Sequence, residues 1–203
     1  MTNKIKMDTF QKFRSKPIKE QSEESEETTT TEETMEPTKG IAKPKTLDSG
    51  VEEILNERLG DEYTAYYFYR NAANWCKNVN YKKATEFFNS EAEGELEHAQ
   101  GIQDYLTQWN LMPNISQVPT VQNFESLIDI INKAYNLEFN LLEKYSGNQK
   151  ELADLHPATF NFIQKYVDIQ NSEVEEYSDF LNALELVNVE NKFEVLYFEN
   201  TYF

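Results

Sequence analysis

Four long segments of this chain are apolar at every third or fourth position, and each apolar stripe is broken near its middle by a carboxylate. That spacing is the helical period, and glycine and proline are nearly absent from the same stretches. The segments run from Asp48 to Asn78, Tyr81 to Trp109, Val121 to Tyr145 and Pro157 to Val187. Asn80 and Thr120 stand where caps for the second and third are wanted, and Pro157 suits the first turn of the fourth. Helices of about 27 residues are roughly 40 Å long at 1.5 Å per residue, so they must support one another along their length. The expected fold class is all-α, a four-helix bundle.

The connections set the order of the helices. Only Val79 and Asn80 separate the first from the second, which forces an antiparallel hairpin. The second and third are joined by NLMPNISQVPT, broken by Pro113 and Pro119. About eleven extended residues span roughly 36 Å, enough to run back along the bundle and start the third helix parallel to the second. Gly147, in SGNQKELADLH, is expected to stop the third helix and let a short connection return the fourth antiparallel. The result is a bundle with one long crossover.

The interruptions in the stripes carry the chemistry. The first stripe reads Leu55, Leu59, Glu62, Tyr66, Tyr69, Ala73, and the second Phe88, Ala92, Glu95, His98, Ala99, Ile102, Leu106. The third reads Ile128, Ile131, Tyr135, Glu138, Leu142, Tyr145, and the fourth Ile163, Val167, Gln170, Glu173, Val174, Tyr177, Leu181. Burying an unpaired carboxylate costs several kcal/mol, so four converging in one core must neutralise or find positive charge. No inward Lys or Arg lies nearby on the second or fourth segment, which favours metal ions. Glu95 and His98 form Glu-x-x-His, one helical turn apart and able to ligate one ion; Gln170 and Glu173 repeat the spacing. Four carboxylates balance two divalent ions in formal charge.

The segments LNERLGDEYTAYYFYR, FFNSEAEGELEHAQGIQDYL, AYNLEFNLLEKY and FIQKYVDIQNSEVEEY resemble the four helices of bacterial-type non-haem ferritins, over residues 48 to about 186. The resemblance implies the ferritin-like fold and a two-iron ferroxidase centre that oxidises Fe(II) with O2 and feeds Fe(III) into storage. It implies that Glu62, Glu95 and His98 bind a first iron and that Glu95 bridges to a second held by Glu138. Gln170 matches the glutamine beside the site, Glu173 the fourth-helix glutamate, and Tyr69 the tyrosine next to the first iron. It also implies a homo-oligomer, a 24-subunit cage. Bacterioferritins carry Met after the bridging Glu and a second Glu-x-x-His, where this chain has Leu96 and Gln170-x-x-Glu173, so no haem is expected. Gly94, Ile169 and Ser172 stand where the extra iron site of some bacterial ferritins has carboxylates. Residues 188–203, containing FEVLYFENTYF, depart from the family's usual fifth helix but have the length of a short one.

Residues 1–45 hold nine Lys or Arg, nine Asp or Glu and runs such as SEESEETTTTEETMEP, too few apolar groups to bury a core, and are expected to be a disordered charged tail. Its charges cancel, so the net charge of -17 falls on the rest of the chain. Such a surface attracts cations and repels nucleic acid. A single cysteine, Cys76, next to Trp75, excludes an internal disulfide framework and reads as a packed thiol. With no apolar run near 18 residues there is no membrane span, and a cytoplasmic location is expected. Two other functions compete. A rubrerythrin-like peroxide reductase lacks its Cys-x-x-Cys pairs here; a scaffold or cargo protein docked to a partner or shell through the tail is the reading of a different class.

Overall fold

In the computed structural model, which describes residues 42–115 and 122–203, five helices follow in order: α1 Ser49–Val79, α2 Lys82–Gln108, α3 Leu127–Leu155, α4 Pro157–Leu184 and α5 Lys192–Tyr202. The charged tail through residue 41, Thr120 and Pro119 lie outside the described residues. Among the described residues no helix is long and apolar enough to cross a membrane.

The side-chain bonds between helices fix their directions. Gln103 bonds Tyr63 and Arg70 bonds Asn89, so α2 runs antiparallel to α1. Tyr145 reaches Glu62 and Tyr69 reaches Glu138, so α3 is also antiparallel to α1 and hence parallel to α2. Tyr105 to Thr159 and Tyr177 to Glu91 set α4 antiparallel to α2. The chain touches α1 at Asn56 through Asn114 and at Asn71 through Gln122. Those two points are about 22 Å apart along the helix, so the connection carries the chain back along the bundle, as the crossover requires. This is an all-α bundle of four long helices with one long crossover.

Several local signals act differently from their sequence reading. Asn80 does not cap α2. It adopts the left-handed conformation (φ 75°) and closes α1, its N–H returning to Cys76 and Lys77 carbonyls. Tyr81 then stands at the start of α2 with no side-chain bond, and the cap comes from another helix: the buried Glu199 carboxylate of α5 accepts from the N–H groups of Lys83 (2.6 Å) and Ala84 (3.1 Å). Helix α3 begins six residues later than Val121, where Ser126 accepts from the N–H of Asp129 and Asp129 accepts from that of Glu125. Gly147 does not end it. The glycine faces solvent, and the helix continues to Leu155 because Leu152 is buried with Leu55, Ile163 and Tyr145. His156 alone joins α3 to α4: its N–H closes α3 on Leu152 and its Nδ1 accepts from Thr159 N–H to cap α4.

The buried stripe of α3 is rotated in part: Ile131, Glu138 and Tyr145 are fully buried as expected. Leu127, Ile130, Ala134 and Leu141 are fully covered, whereas Ile128, Tyr135 and Leu142 lie half-buried on the flank. Both sets satisfy helical spacing, and the inner one buries small Ala134 in the core and leaves the larger Tyr135 on the flank.

The core divides in two. One cluster, with Ala65, Phe88, Ala92, Ile131, Tyr177 and Phe198, fills the end that α5 closes. The other, with Leu55, Leu59, Ala99, Ile102, Tyr145 and Ile163, fills the opposite end. Between them lies a buried polar layer holding Glu62, Glu95, Glu138 and Gln170. Cys76 is buried in the first cluster, and burial, then the Glu199 charge, pushes its thiol up to about 12, so it stays protonated.

Because Glu199 Oε1 accepts from two N–H groups at the start of α2, Glu199→Ala is expected to lower unfolding stability by about 1–2 kcal/mol, read by urea denaturation of the metal-free protein. Glu199→Gln, which keeps an accepting oxygen, should recover most of that loss. Equal midpoints for all three proteins would show that the cap contributes nothing.

Candidate metal centre

Each long helix contributes one register position to the polar layer. Glu62 comes from α1, Glu95 and His98 from α2, Glu138 from α3, and Gln170 and Glu173 from α4. Glu62 and Glu138 are fully buried, Glu95 and Gln170 nearly so, and His98 and Glu173 half-buried. One ligand atom each from Glu62, Glu95 and His98 lies within 4.8 Å of the others, and the same holds for Glu95, Glu138 and Glu173. Glu95 belongs to both groups. His98 Nδ1 sits 3.3 Å from Glu95 Oε2 and 3.4 Å from Glu62 Oε2. All six of these sequence-selected residues meet in one layer.

The polar atoms in this layer are incompletely satisfied. Glu62 Oε2, Glu138 Oε2 and Gln170 Oε1 are buried without a hydrogen-bond partner. Among the described residues no Lys or Arg pairs with any of the four glutamates. Burial, and after it the charges of Glu62 and Glu138, hold the Glu95 carboxyl well above the usual carboxylate range. Burial pushes Glu138 up to about 7 against the opposing hydrogen bond from Tyr69. Glu173 reaches about 10, through burial first and the Glu138 charge second. Crowded carboxylates with inward oxygens lacking donors are what a cation-binding cavity looks like before charge compensation. The donor set, carboxylate oxygens with one imidazole and one amide, fits a hard or borderline divalent cation.

Two tyrosines complete the layer. Tyr69 of α1 donates to Glu138 Oε1, and Tyr145 of α3 donates to Glu62 Oε1. From the sequence Tyr69 stands out as a site residue, whereas Tyr145 reads only as part of the apolar stripe. The signal for it was present: Tyr69 follows Glu62 by seven residues and Tyr145 follows Glu138 by seven. Two helical turns on antiparallel helices bring each tyrosine opposite the other helix's glutamate. Each carboxylate thus has one oxygen occupied and one free.

A further carboxylate pair lies beside the layer, Glu91 on α2 and Glu176 on α4. Glu91, one turn before Glu95, accepts from the Tyr177 hydroxyl at 3.2 Å, and burial, then Glu176, pushes it up to about 7. Burial raises Glu176 as well. Nothing in the spacing alone distinguished them from exposed glutamates, because their environment comes from the close approach of α2 and α4.

The profile of the Ferritin-like domain matches residues 52–187. A bacterial non-heme ferritin of Escherichia coli is 30% identical over 148 residues, covering 72% of this chain and 88% of that protein. One of Campylobacter jejuni is 28% identical over 148 residues, covering 70% and 86%. Among solved structures, the open pore ferritin of Archaeoglobus fulgidus superposes with a TM-score of 0.71 at 21% identity, covering 76% of this chain and 95% of that one. With the profile spanning all four long helices and the polar layer between them, the chain belongs to the ferritin family.

Proposed function

We propose that this protein is a ferroxidase-type storage ferritin: it binds Fe(II) in pairs, oxidises it with O2 and passes Fe(III) to a mineral held inside a homo-oligomeric cage of 24 copies. Iron storage is the general function of the family to which the chain belongs. The observation that carries the finer reading is the shared position of Glu95 between two ligand groups, Glu62–Glu95–His98 and Glu95–Glu138–Glu173. In this reading Glu62, Glu95 and His98 hold one Fe(II), and Glu95, Glu138 and Glu173 the other, with Gln170 beside them. Two Fe(II) substrate ions supply the two electrons that take O2 to hydrogen peroxide, two protons being taken up. Tyr69 positions Glu138 through its hydroxyl. The buried layer excludes bulk water, and mutual repulsion among its carboxylates is relieved when cations enter.

Cage assembly is supported by apolar side chains that a single chain leaves uncovered around α5: Leu186 is 85% exposed, Phe193 84% and Tyr197 71%. A cytoplasmic location is consistent with the buried, unpaired Cys76.

Glu95→Ala removes the residue common to both groups. Rapid oxidation, followed by Fe(III) absorbance after aerobic addition of Fe(II), is expected to slow by more than about 100-fold to the buffer rate. Helical circular dichroism should be retained, since an uncompensated buried carboxylate is being removed. An unaltered progress curve would exclude the dinuclear reading.

The electrostatics give a second check. In the cation-free fold Glu138 and Glu91 keep their protons up to about pH 7, whereas in the unfolded chain they lose them near 4.5. The folded state therefore binds more protons within this window, and stability falls as pH rises through it. The melting temperature of the metal-free protein is expected to drop between about pH 5 and pH 7.5, and added Co(II) or Zn(II) to raise it more at the higher pH. Equal metal-induced shifts at both values would contradict the assignment.

A further inference from the structure

We infer that Tyr145 is a positioning residue for Glu62, and that a stack of Arg58, Tyr145 and Tyr166 couples Glu62 to His98 so that the two are presented together to a single cation. The inference rests on the dinuclear reading above and deepens it by naming what holds one of its two halves.

The geometry begins with the hydroxyl. Tyr145 is fully buried and donates to Glu62 Oε1, which leaves Oε2 as the one free oxygen, 3.4 Å from His98 Nδ1. A glutamate side chain without such a partner rotates and offers either oxygen or both. The Tyr145 ring is itself held on two faces. Arg58 lies over it, 5.9 Å from the centroid, and Tyr166 stacks on it at 5.3 Å with planes 19° apart.

Both outer members are anchored. Arg58, only 5% exposed, pairs with Asp61 at 2.9 Å and donates to Asn148 at 2.8 Å. The Tyr166 hydroxyl donates to the backbone carbonyl of His98 at 2.9 Å. That hydroxyl has room because position 101 is glycine: a Cβ there would stand 2.6 Å from it. The path therefore runs from Glu62 on α1 through Tyr145 on α3 and Tyr166 on α4 to His98 on α2. Its side-chain hydrogen bonds reach two members of one ligand group and none of Glu138, Glu173 or Gln170. Tyr69, stacked between Phe88 and Tyr177 at 6.2 Å from each, serves Glu138 on the other side of the layer.

The test uses the full chain and Co(II) as the probe, with binding isotherms read by d–d absorption and the His98 imidazole followed as a paramagnetically shifted proton resonance. The unaltered protein is expected to bind two equivalents, one showing the imidazole signal. Tyr145→Phe keeps the ring and removes the hydroxyl. It should weaken the imidazole-bearing site by about 10–100-fold and leave the all-oxygen site unchanged. Gly101→Ala should shift the same site in the same direction even though alanine favours helix more than glycine. Tyr69→Phe should weaken the other site instead.

Unchanged isotherms for Tyr145→Phe, or equal weakening of both sites, would overturn the inference while leaving the dinuclear reading intact. Absence of Co(II) binding to the unaltered protein would overturn that reading and the inference with it.

Discussion

Four glutamates converging in the middle of an otherwise apolar bundle are the constraint around which this structure is arranged. A buried carboxylate without compensation costs several kcal/mol, and placing four together adds mutual repulsion. Among the described residues no Lys or Arg pairs with these glutamates, and selected oxygens have no donor, which leaves the layer open to compensation by cations. Two apolar clusters, one on each side, supply the stability that tolerates this layer. Long helices are needed for that reason: each must reach through both clusters and present its polar position midway.

The tyrosines show how such a layer is kept ordered. A carboxylate with both oxygens free has many ways to meet a cation, whereas one tied to a phenol has few. Tyr69 and Tyr145 impose this on Glu138 and Glu62 from opposite sides, related by the same seven-residue spacing on antiparallel helices. The far end is organised by another borrowed contact. Helix α5 returns to place Glu199 at the start of α2, while Phe203 packs against Phe87, Phe88 and Phe180. The last residues of the chain therefore complete a helix that began over a hundred residues earlier.

Much of the bundle was legible in the chain itself. The 3.6-residue period of the stripes, the two-residue link between α1 and α2, and Glu-x-x-His at residues 95–98 are local features that survive in any packing. Failures occurred where two local solutions were equally good. Asn80 could cap α2 or close α1 in the left-handed conformation, and the backbone took the second. Gly147 could have ended α3, but burial of Leu152 outweighs the roughly 1 kcal/mol propensity cost of glycine. The α3 stripe could face inward along either of two adjacent rows, and the choice depended on which row fitted its neighbours.

By itself the sequence determined the helical class, the number of long helices, the crossover and the identity of the carboxylates, because each follows from periodicity, chain reach and the cost of burying charge. Only the tertiary structure decided which oxygen of each glutamate is occupied, that Tyr145 rather than a neighbouring tyrosine reaches Glu62, and that Glu91 is shielded beside Glu176. Those facts depend on distances of a few ångströms between helices remote in sequence. Periodicity places a side chain on a face, but only the packed neighbours determine what it touches there.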